Sequence, residues 1–254
     1  MAALRKFGQG VGNVVRFNWP FYALALGLAA GLALAATLSP PTLRPWLWLA
    51  LAALLLPVLS SLAATIWVYD LSALYRLSWL PVAPPPGATI LSLSAGFDEI
   101  SPALQQYYAP AQLLAADFYD PARHTEASIA RARRAYPPIS NTLPVSTSAP
   151  LPWPTAAIDA TYAFLAAHEI RDAAERAAFF RELGRVTRPG GFIVVTEHLR
   201  DLPNFLAYNI GFLHFHSRRT WLDTFAQAGL RVRQEVRLTP FITSFILSAH
   251  GHAA

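Results

Sequence analysis

Two long apolar runs open the chain. Residues 20–38, PFYALALGLAAGLALAATL, and residues 46–68, WLWLALAALLLPVLSSLAATIWV, contain no charged side chain. Each is long enough, as a helix, to cross about 30 Å of hydrocarbon. Trp19 and Tyr22 flank the first run; Trp46, Trp48, Trp67 and Tyr69 flank the second. Aromatic residues concentrate in this way where a membrane meets water. The link SPPTLRP is short and proline-rich, so the pattern predicts a hairpin of two transmembrane helices, the second kinked at Pro57. A cleaved signal peptide is the alternative for the first run, given Arg5 and Lys6 ahead of it. Arg16, Asn18 and Pro20 interrupt that pattern, and a second run follows directly. Basic residues favour the cytoplasmic side. Arg5, Lys6 and Arg16 precede the first run and only Arg44 lies in the link. A multi-pass protein of the cytoplasmic membrane is expected, with both ends in the cytoplasm.

From Asp70 the pattern changes. YDLSALYRLSWLPVAPPPGAT reads as an interfacial segment leading into a stiff linker. The division expected is an anchor over residues 1–80 and a soluble domain over 81–254. In the latter, short apolar runs alternate with amphipathic stretches. TILSLS (89–94), AQLLAADF (111–118), NTLPVSTS (141–148), IDATYAFLAA (158–167) and FIVVTEH (192–198) are candidate strands. Residues 98–108, 124–136, 172–187 and 217–230 are candidate helices, the last with a serine at its start and Gly229 at its end. RVRQEVRLT and FITSFILSA, separated by Pro240, read as two further strands joined by a tight turn. The class predicted is α/β: a Rossmann-like, doubly wound and mostly parallel sheet with an antiparallel edge hairpin.

Composition sharpens this picture at three points. Charged residues make up 14% of the chain, against roughly 25% for soluble domains, which agrees with a part buried in lipid. There is no cysteine, so disulfides, thiolate metal sites and thiol redox chemistry are excluded. The densest basic cluster, Arg131, Arg133 and Arg134, is too short for a nucleic-acid surface.

Ligands of such sheets bind beyond the carboxyl ends of the strands. That rule selects residues 94–99, 117–120, 146–148, 165–169 and 197–200. The first of these lies in ILSLSAGFDEIS (90–101), which carries one glycine, Gly96, followed by Asp98 and Glu99. The two carboxylates would oppose a pyrophosphate at the helix start; they also suit the role of caps for the next helix. A Tyr-x-x-x-Lys oxidoreductase pair is impossible, because the sole lysine is Lys6.

FFRELGRVTRPGGFIVVTEH, IDATYAFLAAHEI and AADFYDP resemble the fifth-strand region, fourth strand and second strand of class I S-adenosylmethionine-dependent methyltransferases. The resemblance covers about residues 85–250. FNWPFY and VYDLSALYRLSWL resemble the corresponding segments of a bacterial membrane-attached group. The family's loop reads acidic-x-Gly-x-Gly-x-Gly; here Ser92, Ser94 and Asp98 depart from it and Gly96 remains. The resemblance implies S-adenosylmethionine as cofactor. It implies a cofactor loop at Ser94, Ala95, Gly96 and Phe97, and a ribose-binding Asp117, 21 residues beyond Gly96, with Phe118 beside it. Ser146 or Thr147 would face the adenine. The cofactor is a sulfonium with an ammonium group, which tolerates nearby carboxylates.

Methyl transfer needs alignment above all, and a base only where the acceptor loses a proton. His168 and Glu169, after the fourth strand, are the first candidates for catalysis; capping of a turn and starting a helix is the alternative use of the pair. Glu197 and His198 are second. His214 and His216 have metal-like spacing but no evident third ligand, so no metal site is assigned. LPNFLAYNIGFLHFH (202–216) reads as an apolar insertion covering the site or facing a membrane. The function expected is a membrane-anchored methyltransferase acting on a hydrophobic small molecule or lipid-like acceptor, with the bilayer as its partner. The alternative is a non-catalytic membrane scaffold on a degenerate fold. His250 and His252 fall in a small-residue tail.

Overall fold

A computed structural model describes residues 6–109 and 111–249. Arg5, His250 and His252 lie outside the described residues. The first helices are α1 (Gln9–Phe17), α2 (Trp19–Leu38) and α3 (Arg44–Ile66). The last two pair as an apolar hairpin. By length and composition both could cross a membrane, and only 17% of the most apolar stretch of α2, and 11% of that of the helix starting at Arg44, is buried. A core helix of a soluble protein would be mostly covered.

The sheet comprises β1 (Thr89–Ser94), β2 (Gln112–Asp117), β3 (Leu143–Pro144), β4 (Ile158–Phe164), β5 (Thr187–His198), β6 (Leu230–Thr239) and β7 (Ile242–Ala249). Their order is β3-β2-β1-β4-β5-β7-β6. β1 to β5 run parallel, while β7 is antiparallel to both β5 and β6. The alternation and the edge hairpin expected from the sequence are both present. β3 is only two residues long: Pro144 has no N–H to extend a ladder, which confines it to an edge. β5 begins earlier than its apolar run, because RPGG is drawn into the strand rather than ending the helix before it. Gly190 is left-handed there, and a Cβ on Gly191 would lie 2.7 Å from the Asp159 carbonyl oxygen. The register slips between Ile158 and Ala160 at the same place, a bulge that needs the glycine pair.

Helices α4 (Ser101–Tyr107), α5 (Ala127–Ala135), α6 (Ala173–Val186), α7 (Leu202–Tyr208) and α8 (Arg218–Gln227) complete the chain. Strand periodicity splits the core in two. Leu91, Leu93, Ile193 and Val195 point toward Phe179, Phe180, Trp221 and Phe225 on α6 and α8. Ile90, Tyr162, Val194 and Ile246 face the other way. Part of that second face is covered by the segment read from the sequence as interfacial: Leu74 and Leu77, with Val68 just before it, are fully buried against the face beside Ile100 and Leu104. α3 ends in a single π turn at Trp67–Leu71, from which Asp70 accepts bonds from the Gly10 and Val11 amides of α1 at 2.7 and 2.9 Å. The apolar hairpin is thus joined to the sheet by packed chain.

Leu74→Ala removes a fully buried side chain and is expected to cost about 2–5 kcal/mol, whereas Leu71→Ala, at an exposed position closing the π turn just before it, stays within about 0.5 kcal/mol. Thermal denaturation of the two purified variants in detergent checks this; equal midpoints would mean that the segment is not part of the folded core.

Candidate functional site

Strand register assembles the site. Ser94 pairs with Asp117, so the turn after β1 meets the end of β2. Phe164 pairs with Thr196, so the turn after β4 meets Glu197.

At the first junction Asp117 is buried. Its Oδ1 accepts from the Gly96 amide at 2.8 Å and the Tyr119 amide at 3.0 Å. Its Oδ2 is paired with Arg133 of α5, whose guanidinium also lies over the Tyr119 ring. Gly96 has φ of +92°, and a Cβ there would meet Tyr119 at 2.8 Å and Ile129 at 2.9 Å. Ser94 Oγ donates to the Ala116 carbonyl oxygen at 3.4 Å, and Ala95 is buried in the core. The Phe97 ring meets Phe17 of α1 edge-on and tilts against Tyr136. Phe118 packs into the core on Phe179. Thr147 donates to Glu175, which Arg123 also binds, while Ser146 is exposed and pairs with Ser148. Asp98 Oδ1 accepts from the Ile100 and Ser101 amides at 3.1 and 2.9 Å, capping the turn into α4. Glu99 accepts from the Tyr75 hydroxyl at 2.9 Å.

At the second junction the candidates His168, Glu169, Glu197 and His214 come together. Glu197 is fully buried. Its Oε1 accepts from the His168 amide at 3.2 Å, and its Oε2 lies 2.7 Å from His168 Nδ1. His168 Nε2 lies 3.4 Å from Glu169 Oε1, which is 3.1 Å from His214 Nε2. His214 Nδ1 lies 3.0 Å from Glu126 Oε1. Burial alone would depress the His168 pKa, but the Glu197 and Glu169 carboxylates overcome it and push it up to about 10. Burial acts to raise the Glu169 pKa, and the bonds from His168 and His214 outweigh it and hold the carboxyl well below the usual range. The two carboxylates thus favour the protonated, proton-donating form of His168. His214 and His216, close in sequence, part ways: His216 Nε2 accepts from Arg176 Nη1 at 3.2 Å, on the α6 and α8 side.

His198 is held differently. Its Nδ1 is 3.0 Å from both Asn204 Oδ1 and the Phe241 carbonyl oxygen, so it carries the proton, and Nε2 accepts from the Tyr69 hydroxyl at 3.0 Å. Burial lowers its pKa to about 4. Tyr69, Arg133, Glu126 and Arg171 are site residues that the sequence reading did not select. Arg133 appeared there only within a basic cluster, which the structure disperses: Arg131 donates to the Phe17 carbonyl oxygen, Arg133 binds Asp117, and Arg134 donates to the Ala130 carbonyl oxygen. A cavity of about 440 Å³ lies beside the loop after β1, with Asp70, Arg76, Phe97 and Asp98 in its wall. Another, of about 380 Å³ near Arg188 and Arg233, is at the opposite ends of the strands, away from this chemistry.

Residues 91–195 match the family model described as a methyltransferase domain. No curated protein matches the chain in sequence. Among solved structures, an O-methyltransferase family 2 protein from Planctomyces limnophilus, in complex with apigenin, is similar at 17% identity and a TM-score of 0.51. The alignment covers 76% of this chain and 60% of that one. A SAM-dependent methyltransferase from Aquifex aeolicus is similar at 15% identity and a TM-score of 0.47, with 66% and 85% covered. Residues 91–195 thus read as a methyltransferase domain on an α/β fold shared with the solved structures, and S-adenosylmethionine is the cofactor that the match supports.

At the first junction, Asp117 is the residue whose acceptor capacity is not fully used. A carboxylate offers roughly four acceptor positions, of which Gly96, Tyr119 and Arg133 take three. Arg133 is a third exposed and long enough to yield its place to a ribose hydroxyl.

Two predictions follow from this geometry. Calorimetry with S-adenosylmethionine should show binding lost in Asp117→Ala and tightened in Arg133→Ala; unchanged affinity in the first variant would remove Asp117 from the ribose site. His198 titrates near 6.5 when unfolded and near 4 when folded. Its contribution is therefore complete above pH 6.5 and lost as pH falls through about 4, a change of about 3 kcal/mol. Denaturation midpoints measured from pH 7.5 to 4 should fall less steeply in His198→Gln than in the unaltered protein.

Proposed function

We propose that this domain is held at a membrane by α2 and α3 and methylates a hydrophobic, lipid-like acceptor from the cytoplasmic side. One observation carries the reading. The insertion between β5 and α8 supplies His214 to the site and also packs on the apolar hairpin: α7 lies against α3, and Asn209 Nδ2 reaches the Pro57 carbonyl oxygen at 3.5 Å. Along it Leu206, Ile210 and Leu213 are 61%, 76% and 51% exposed. Pro57 sits nine residues before the end of α3, or about 14 Å along the axis. If α3 spans the bilayer, the insertion dips into the leaflet nearest the domain. An acceptor dissolved in that leaflet could reach the site without entering water, and the exposed apolar side chains would be solvated by lipid.

S-adenosylmethionine, when bound, supplies an electrophilic methyl group on a sulfonium. Gly96 and Asp117 would hold its adenosine end, and Thr147 lies at the end of the sheet that the adenine would approach. Glu197 fixes the orientation of His168, and His168 with His214 fixes Glu169. That arrangement orders the acceptor side of the site, and its alignment is the main requirement of a displacement at carbon.

A second reading has its own support. Asp117 is already engaged by Arg133, as expected of a scaffold that has lost its cofactor. The experiment that separates the two uses the full chain in lipid nanodiscs, S-adenosylmethionine labelled at the methyl group, and a bacterial lipid extract. Label should enter the organic phase, and Ile210→Asp should cut this by roughly tenfold or more with cofactor affinity unchanged. Failure to bind millimolar cofactor with an intact fold would favour the scaffold, and label confined to water-soluble products would overturn the lipid-like acceptor.

A further inference from the structure

We propose that His168, Glu169 and His214 form a binding site for one divalent transition-metal ion of the zinc class. Their donor atoms all lie within 4.8 Å of one another. Zinc–nitrogen and zinc–oxygen bonds of about 2.0–2.1 Å at tetrahedral angles place neighbouring donors about 3.3 Å apart. The observed separations from Glu169 Oε1 are 3.4 Å to His168 Nε2 and 3.1 Å to His214 Nε2. Two histidines and one glutamate leave a fourth position open, as in catalytic rather than structural zinc sites.

The surroundings of each histidine support the assignment independently. Metal-bound imidazoles are usually oriented by a carboxylate on the other ring nitrogen. Here Glu197 holds Nδ1 of His168 at 2.7 Å and Glu126 holds Nδ1 of His214 at 3.0 Å. Both Nε2 atoms are left to converge on Glu169. Three carboxylates, Glu126, Glu169 and Glu197, thus surround two imidazoles.

Arg171 crowds the His214 imidazole from outside the cluster. Nε2 of that ring lies 3.1 Å from an acceptor, Glu169 Oε1, and 2.8 Å from a donor, Arg171 Nη2. Arg171 also contacts Nδ1 and the backbone carbonyl oxygen of the same residue. Its side chain is long and exposed, so the guanidinium occupies the place of a cation from which it can withdraw. An ion bound to Nε2 and Oε1 would satisfy both as electron-pair donors. Its open position would take an acceptor oxygen and lower the pKa of a hydroxyl there. That role rests on the methyltransferase reading; the site itself does not.

The test is made without S-adenosylmethionine, so that its outcome is independent of methyl transfer. The full chain in detergent, stripped with a chelator, is titrated with zinc by calorimetry, and with cobalt(II) by visible absorption. A His250→Ala, His252→Ala background removes the other adjacent pair of histidines. One ion per chain is expected, with the cobalt bands of a four- or five-coordinate nitrogen and oxygen site. His214→Ala and Glu169→Gln should weaken binding at least tenfold, Glu197→Gln by roughly 10–100-fold, and Arg171→Ala should tighten it. His214 is partly exposed, so its variant remains informative if Glu169→Gln or Glu197→Gln does not fold. Zinc affinity unchanged in His214→Ala, octahedral cobalt bands in the unaltered site, or no binding at millimolar metal would each overturn the proposal.

Discussion

The pairing of Glu197 with His168 is the constraint on which the rest of the site depends. Glu197 lies within β5, opposite Thr243 of β7, and has no exposure to solvent. A carboxylate in that position is costly unless it is fully partnered. Two groups of His168, the backbone amide and Nδ1, partner it from the turn after β4. That turn cannot move without leaving a buried charge alone. Its rigidity places Glu169, Glu169 places His214, and His214 places the insertion that contains it. A sheet residue therefore governs a loop that sequence separation alone would leave free.

The same insertion is tied down at its far side by the apolar hairpin. Asn209 meets α3 at Pro57, inside the helix, whose carbonyl oxygen it reaches. Tyr69, just past the end of α3, bonds to His198 at the end of β5. The hairpin and the site thus share side chains at two points, one on the insertion and one on the sheet. Displacement of α3 would be felt at His198 directly and at His214 through α7. A tether that merely localised a domain would not require such contacts.

The fold was legible in the sequence because its strands are short apolar runs set between turn signals, and periodicity reports such runs well. Ser217 capping α8, where its side chain accepts from the Thr220 amide, follows from residue type alone. The packing of the junction after α3 was not legible, for a physical reason. YDLSALYRLSWL has the aromatic and apolar composition of a membrane interface, and also that of a surface packed beneath a sheet. Composition does not distinguish the two. His168, Glu169, Glu197 and His214 could be nominated from their places near strand ends and in the insertion. Glu126, Arg133 and Arg171 could not, because their roles come from helix α5 and from an exposed side chain whose partners are distant in sequence. Spacing could not show that His214 and His216 diverge, since a 3₁₀ turn ends between them, with His214 its last residue.

The pared loop after β1 is explained by what each departing residue does in the chain itself. Ser94 stands in register with Asp117 and bonds to the neighbouring strand. Asp98 spends one carboxylate oxygen on two amides at the start of α4, a service that a glycine could not provide. Gly96 survives, yet the space it leaves open is filled by Tyr119 and Ile129. Its retention therefore says little about a ligand, because packing alone would select against any side chain there. Asp117 is the more telling residue. Two backbone amides need only one of its oxygens, and an aspartate kept solely for that purpose would not need a second oxygen matched to an arginine. The charged pair leaves a long, partly exposed and therefore displaceable partner on Asp117, at the carboxyl ends of β1 and β2 where a ligand of such a sheet would bind.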